Sequence, residues 1–531
     1  MKYSLPCALA LLANTAFALS PAEWRSQSIY QVVTDRFAHT DGSTTAPCDM
    51  VKQSYCGGTW RGIINKLDYI QSMGFTAIWL SPVTEQVTGE SLDGSSYHGY
   101  WQKNIYKLNK PYGTEEDLKA LSDALHERGM YLMLDIVTNH MAWLGNQTSV
   151  DYSTFTPFNN ASYFHPPCFI NYDNKTSVQE CWIGSNNVAL PDLRTELPIV
   201  RKIFSKWIKD LIKTYNIDGL RLDTTPQLDE GFLDVFQEAA DTHILGEIFN
   251  GDPAYICPFQ EHLTGILNYG SFFWIRQAFE STKGSISNLV KGVSTIQTAC
   301  RDVTVMGTFS ENHDNDRFPN LTPDFSLAKN SIAFTILSDG IPIIYYGQEQ
   351  HMTDYGYGRS PLWRTGYDTS AELYGFITAV NRIRHTAIEA DHDYVTTLSE
   401  ATYSDNSTIV LRKGSTGAQV VGIYSNLGLN STKHVLSLGK DVTGFKSREH
   451  VVDLLSCNEY TSSLNGTIEV TIQDGLPVVL FPSSGLSRAG ADDFCGGESV
   501  YGKPIAASVK VDANVHLKRH LSHRSSRRSH A

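Results

Sequence analysis

From about Ser28 to Arg384, short apolar runs alternate with stretches whose apolar residues recur at helical spacing. Residues 75–80 read as a buried strand that ends at Ser81-Pro82. Thr114-Glu115-Glu116-Asp117 then has the form of a capping box, and Leu118, Leu121 and Leu125 follow on one helical face. Gly129 closes that helix, and residues 130–137 supply the next strand. Further strands are expected over 219–222, 243–248, 303–309 and 341–346. The alternation predicts an α/β fold with parallel strands, and a (β/α)8 TIM barrel fits the length. A doubly wound sheet is the structural alternative, but the glycine-rich phosphate turn of a dinucleotide site is missing.

The rhythm fails between Asn139 and Leu193, in a stretch rich in Asn, Ser, Thr and Tyr. Loops that long inside a compact domain are usually functional. Residues 139–195 are therefore expected to form a small inserted domain on the active face, after the third strand, splitting the barrel into 19–138 and 196–390. Past about Ala390 short alternating strands take over, at 408–411, 419–424, 469–472 and 477–480. They predict a separate C-terminal antiparallel β-sandwich over 391–486. Little is expected to pack from Ser487 on, apart from a tie between Cys495 and Cys457. The Ser/Arg/His-rich end of 487–531 reads as disordered.

Residues 1–18 read as an export signal: Lys2, an apolar stretch from Leu5 to Leu12, and a small-residue cleavage site at Ala16-Phe17-Ala18. No later stretch offers 18 uninterrupted apolar residues, so a soluble, secreted protein without a membrane span is expected, extracellular or associated with the cell wall. Cys7 leaves with the signal. The eight that remain, Cys48, Cys56, Cys168, Cys181, Cys257, Cys300, Cys457 and Cys495, favour disulfides in an exported chain, although spacing alone leaves their pairing open. Zinc is the weaker rival, since no CxxC pair exists. Glycosylation acceptors stand at Asn146, Asn160, Asn174, Asn320, Asn406, Asn430 and Asn465.

Composition narrows the partners. With 41% hydrophobic and 19% charged residues the chain builds a large core, and the net charge of −13 argues against nucleic acid. Only the end runs the other way: after Asp512 there are no acids, while Lys518, Arg519, Arg524, Arg527 and Arg528 are cationic. Aromatics reach 11%, which suits an enzyme gripping sugars on ring faces, although barrel cores use aromatics too.

Acidic residues fall at the C-terminal ends of several expected strands, where a barrel keeps its reactive groups. Asp135 and Asn139-His140 follow one strand. Arg221 and Asp223, two apart, share one face of another. Glu247 follows Ile244-Leu245-Gly246, and Glu311-Asn312-His313-Asp314 follows Phe309. One acid after a strand is commonly a helix cap; four, with two histidines and an arginine, are harder to dismiss.

On these residues the chain resembles the α-amylase family of glycoside hydrolases, and within it the secreted fungal enzymes of Taka-amylase type. The four family motifs stand as Asp135-Ile-Val-Thr-Asn139-His140, Gly219-Leu-Arg221-Leu-Asp223, Gly246-Glu247-Ile-Phe-Asn250 and Phe309-Ser-Glu-Asn312-His313-Asp314. Cys56-Gly-Gly-Thr-Trp60, Tyr97-His98-Gly99-Tyr100-Trp101, the stretch from His126 to Met133 and the one from Tyr345 to His351 match as well, and the resemblance runs from about Trp24 to Pro482. It implies a retaining enzyme acting within α-1,4-glucans such as starch, glycogen and maltooligosaccharides, and a monomer. Asp223 would be the nucleophile, Glu247 the acid/base and Asp314 the stabiliser of the distorted ring. Tyr100, Trp101, His140, Arg221, His313 and Arg359 would bind substrate. The resemblance also implies a structural Ca2+ held by Asn139 and Asp192 side chains and by the carbonyls of Gln179 and Gln227. Its disulfides would map onto Cys48–Cys56, Cys168–Cys181, Cys257–Cys300 and Cys457–Cys495.

The chain departs from the family after Asp223, where a Lys-His pair is usual and Pro226 and Gln227 stand here, so binding of the reducing-end portion is expected to weaken. The loop between His351 and Arg359 is shorter than usual, and Asp354 is the nearest candidate for the acid that normally accompanies Arg359. Two other functions fit the same residues: a 4-α-glucanotransferase, in which a glucan hydroxyl replaces water, and a non-catalytic glucan-binding or scaffold protein. His140 and His313 favour hydrolysis over transfer, and the three acids disfavour a binding-only protein.

Overall fold

The computed structural model describes residues 19–353, 359–496 and 499–501. The export signal with Cys7, Asp354 and the basic end of the chain lie outside the described residues.

Eight strands follow one another in chain order around a single parallel sheet: β1 Ile29–Val32, β2 Ala77–Leu80, β3 Tyr131–Ile136, β4 Gly219–Leu222, β5 His243–Gly246, β6 Gly265–Ile266, β7 Gly307–Thr308 and β8 Ile341–Tyr345. Met133 sits opposite Gly219 across β3–β4, and Ile343 opposite Ile29 where β8 returns to β1. A parallel bridge from Leu267 to Gly307 joins β6 to β7 and closes the barrel. Because side chains alternate along a strand, the sequence sorts into two cores. Ile29, Ala77, Trp79, Met133, Leu245 and Ile343 fill the interior, while Tyr30, Ile78, Leu132, Leu134, Leu220 and Leu222 pack outward against the helices. Trp24 plugs the bottom: its indole donates to the Asp218 carbonyl at 3.1 Å, and a Cβ on Gly219 would lie 2.6 Å from its ring.

The helix Glu115–His126 starts on the capping box expected at Thr114 and Asp117. The seventh strand differs from expectation. Only Gly307–Thr308 is extended, because the Asp302 side chain caps a 3-10 turn over Val303–Val305. The stretch after β3 carries a three-stranded antiparallel sheet of Trp143–Leu144, Val188–Leu190 and Ile183–Gly184. It returns to its origin through the Leu193 amide, which donates to the Asn139 carbonyl at 2.8 Å.

Eight more strands form the C-terminal antiparallel layers: β9 Glu400–Ser404, β10 Thr408–Lys413, β11 Val420–Ser425, β12 His434–Leu438, β13 His450–Asp453, β14 Glu459–Thr461, β15 Ile468–Ile472 and β16 Val478–Pro482. Six make one sheet in the order β9-β10-β11-β16-β13-β14, and β12 pairs with β15 over a shared core of Val410, Ile423, Leu438, Phe445, Val470 and Leu480. The union with the barrel is polar and buried. Lys413 donates to Asp339 at 2.7 Å, and Asn330 exchanges hydrogen bonds with Gly475 and Ser425, both at 2.7 Å.

The expectation that little packs beyond Ser487 fails. The helix Ser483–Ala489 continues into a segment whose Phe494 is buried beneath the Arg382 guanidinium, and the Tyr501 hydroxyl donates to the Pro477 carbonyl. Apolar residues spaced too widely to show a period supply this packing. Four disulfides join Cys48–Cys56, Cys168–Cys181, Cys257–Cys300 and Cys457–Cys495, which answers the pairing that spacing left open.

Candidate active site

The inward alternation that fills the barrel also arms its upper end. One layer above the apolar plug, Gln31, Trp79, Asp135 and Arg221 point inward from β1, β2, β3 and β4. Arg221 is fully buried and serves three carboxylates. Its Nη1 donates to Asp135 at 2.9 Å and to Asp223 at 2.8 Å, and its Nη2 lies 2.7 Å from Glu247. Asp135 also accepts from Trp79 and Tyr100, at 3.0 and 2.7 Å. Glu247 takes a 3.0 Å bond from the Thr224 amide, on the turn directly after Asp223.

Asp314 enters from the turn after β7. Its carboxylate is paired with Arg359 at 2.8 Å and with His313 Nε2 at 3.1 Å. Its side chain is 33% exposed, against 9% for Asp223 and 11% for Glu247, so it is the most open of the three acids. The Tyr100 and His313 rings stack 5.4 Å apart, with the Tyr100 hydroxyl 2.8 Å from His313 Nε2. Because Gln31 Nε2 meets His313 Nδ1 at 2.8 Å, that nitrogen accepts and the proton sits on Nε2. His140 places Nε2 3.0 Å from the Tyr100 carbonyl, which can only accept. Trp101 packs beside Val87 and Leu190 with its ring edge-on to His98.

Burial and charge push the acids apart. Burial raises Glu247 to about 7, reinforced by the Asp223 and Asp314 charges and opposed by Arg221. Burial also lifts Asp223, to about 6, with Arg221 opposing. Desolvation acts on Asp314 as well, yet His313, Arg359 and Arg221 outweigh it and hold the carboxyl below the usual carboxylate range. Desolvation takes His140 down to about 4 and His313 to about 3, so both are neutral. The arrangement therefore keeps one carboxyl ready to carry a proton beside another held by an arginine, the division of labour that acid/base chemistry needs.

A second polar cluster lies where the inserted stretch rejoins the barrel. His165 donates to one oxygen of Asp192 at 2.7 Å, leaving the other, Oδ1, buried without a hydrogen-bond partner. Asn139 Oδ1 and Gln227 Oε1 are orphaned in the same way. Asp192 and Asn139 belong to neighbouring segments, since His140 bridges to Asp192. Gln179 is tied to the turn that carries Gln227 by a 3.0 Å bond from its amide to the Leu228 carbonyl. Bare buried oxygens are costly unless something positive meets them, and a hard cation takes such a set of carboxylate, amide and carbonyl oxygens. Among the described residues no three His, Cys, Asp or Glu side chains group as a metal site.

Gln31, Trp79, Tyr97 and His98 were not singled out as site residues from sequence. Gln31 shows in the sequence only as a polar residue inside an apolar strand; its part in the site comes from its register with Trp79 on the neighbouring strand.

Residues 31–407 match the family described as alpha amylase, catalytic domain, and residues 401–502 match alpha-amylase, domain C. The chain belongs to the α-amylase family. Alpha-amylase 2 of Schwanniomyces occidentalis is 47% identical over 487 residues, covering 91% of this chain and 95% of that one. The structure of an alpha-amylase from Malbranchea cinnamomea superposes with a TM-score of 0.86 at 48% identity, covering 89% and 99%. A cyclomaltodextrin glucanotransferase of three-domain ABC distribution shares the fold at 24% identity and a TM-score of 0.73, covering 86% and 99%. Within the family frame, the Pro226 departure is accommodated locally. Thr225–Gln227 is a 3-10 turn in which proline occupies an early position whose amide has no bond to lose, and the Gln227 amide still reaches the Thr224 carbonyl at 3.1 Å. Thr224, directly before the turn, stands in the left-handed region at φ 47°, and Pro226 itself offers no side-chain donor.

Proposed function

We propose that this family member hydrolyses internal α-1,4-glucosidic bonds of starch- and glycogen-type glucans with retention of configuration. One observation carries the reading: a single buried guanidinium, that of Arg221, spans Asp135, Asp223 and Glu247. A pair of carboxyls sharing one guanidinium suits the close spacing of retaining enzymes, about 5–5.5 Å, better than the wider gap of about 6.5–9.5 Å that an interposed water needs.

In the first step Asp223 attacks the anomeric carbon while Glu247 gives its proton to the glycosidic oxygen, so the C–O bond breaks as the glycosyl ester forms. In the second, Glu247 takes a proton from water, which attacks the same carbon and releases Asp223. Asp314, ionised and open to the cleft, stabilises the positive, flattened ring between these steps. Tyr100 offers its face to that sugar, His313, Arg359 and Trp101 line it, and His140 shares its Nε2 proton between the Tyr100 carbonyl and a hydroxyl.

Asn139 and Asp192 side chains and the Gln179 and Gln227 carbonyls would hold Ca2+, which supplies the positive charge that the orphaned oxygens lack and pins the inserted stretch to the barrel. The division into barrel (19–138 and 196–390), insert (139–195), sandwich (391–486) and extension follows the changes in strand pairing. Four disulfides and exposed side chains at all seven glycosylation acceptors support a secreted glycoprotein. No helix among the described residues is long and apolar enough to cross a membrane. A monomer whose partner is glucan completes the reading.

Incubation of the full chain with one defined maltooligosaccharide and Ca2+ tests it. Shorter products alone, released first as the α-anomer, are expected. Chains longer than the input would transfer the reading to a glucanotransferase, and no reaction at all would leave a glucan-binding protein.

A further inference from the structure

Behind the Asp314 side of the cleft lies a buried stack that no step above uses. Arg36 follows β1 and is fully buried, with its guanidinium 3.8 Å from the centroid of the Tyr97 ring. Around that guanidinium runs the loop closed by the Cys48–Cys56 disulfide. Nη1 donates to Cys48 Sγ at 2.6 Å and to Cys56 Sγ at 3.0 Å, and Nη2 donates to the Ser54 carbonyl at 2.9 Å. Nε lies 3.2 Å from the Asp35 carboxylate, which itself accepts from the Cys56 and Gly57 amides. The loop thus fixes the plane of a flat cation against a flat ring, a geometry lysine cannot supply.

Tyr97 is held from both ends. Its carbonyl accepts from the Tyr112 hydroxyl at 2.5 Å, and its own hydroxyl is hydrogen-bonded to the Arg359 guanidinium. Arg359 donates to the His313 carbonyl and to the Asp314 carboxylate, each at 2.8 Å. Arginine is long and rotamer-rich, and Asp314 is the most open of the three acids, so the aim of that carboxylate depends on what stops Arg359 from swinging.

We infer that Arg36, seated in the disulfide-closed loop, is a positioning residue for Asp314, acting through Tyr97 and Arg359. The inference rests on the assignment of Asp314 as stabiliser of the flattened ring. Loosening the stack costs transition-state binding more than substrate binding, because a misplaced carboxylate still meets a ground-state sugar.

Steady-state kinetics of full-length variants test this. Tyr97→Phe keeps the ring over Arg36 and removes only the hydroxyl that meets Arg359. Arg36→Met removes the support, and the paired Cys48→Ala/Cys56→Ala variant opens the cup. Each is expected to lower kcat on the order of tenfold with little change in KM. The Ki of a cationic half-chair sugar mimic should rise by the factor that kcat/KM falls. The paired Cys457→Ala/Cys495→Ala variant, remote from the cleft, should lower Tm and leave kcat of the folded enzyme alone. In an Asp314→Asn background, Tyr97→Phe should add no further loss. Wild-type kcat and Ki in Tyr97→Phe, with Asp314→Asn inactive, would overturn the inference and spare the role of Asp314. Full turnover by Asp314→Asn would overturn both.

Discussion

Arg221 shows how little room the site leaves for substitution. Three carboxylates draw on one guanidinium, so their protons are linked, with burial lifting Asp223 to about 6 and Glu247 to about 7. The sign follows from the roles proposed above for Asp223 as nucleophile and Glu247 as acid. As pH falls below about 6 Asp223 gains a proton and ceases to be a nucleophile, and as pH rises above about 7 Glu247 loses the proton it must donate. A bell-shaped kcat/KM profile with its summit between those values is expected from initial rates on a maltooligosaccharide. Glu247→Gln should cut glucan turnover by about 10²–10⁴. On an aryl maltoside whose leaving group needs no proton it should still form the ester and should lack the alkaline limb; an unchanged limb would remove Glu247 from the role of acid. At this scale the sequence was most legible, because each of the three acids sits at a strand end inside a motif. The supports Gln31, Trp79 and Tyr97 were not, since their roles depend on which strands are neighbours around the barrel, and one strand read alone does not reveal that.

Elements were legible where their periodicity was long. The helix Glu115–His126 has its cap, its apolar face and its closing glycine in plain sight. β6 spans only Gly265–Ile266, and β1 is interrupted by Gln31, so neither carries a run that stands out; their pairing around the closed barrel makes them strands. The turn Thr225–Gln227 is legible in a different sense, since a proline at its start suits the turn and offers no side-chain donor. Pro226→Lys should restore a cation on the leaving-group side and lower KM for maltoheptaose by about tenfold or more, a change on the scale of one charged hydrogen bond. An unchanged KM would place that side chain outside the substrate's reach. The junction of the insert makes its own prediction. Asn139→Ala removes one of the orphaned oxygens, so calorimetric scans should show the stabilisation by Ca2+, about 2.7 kcal/mol at a hundredfold excess over Kd, shrinking markedly in the variant. Equal stabilisation of both proteins would mean that the ion binds elsewhere.

Across the whole molecule, barrel and sandwich were each foreseeable from their rhythms, strand–helix for the first and short alternating strands for the second. Their union was not, because it is made by single polar residues far apart in sequence: Asn330 with Gly475, Asn426 with Ala278, and Lys413 with Asp339. Nor was the packing of Phe494 and Tyr501, which a polar, glycine-rich neighbourhood conceals. The bond from Lys413 to Asp339 has a consequence for anyone cutting the gene. Lys413 is the counter-charge of a carboxylate that also anchors Ser399 and Gln297, at the seam between the layers. A clone stopped at codon 390 would strip that ammonium away and bare the apolar flank beside it. Such a shortened product is expected to bind a hydrophobic dye and sediment as aggregates, whereas a cooperative melt from a soluble barrel would show that the seam is dispensable.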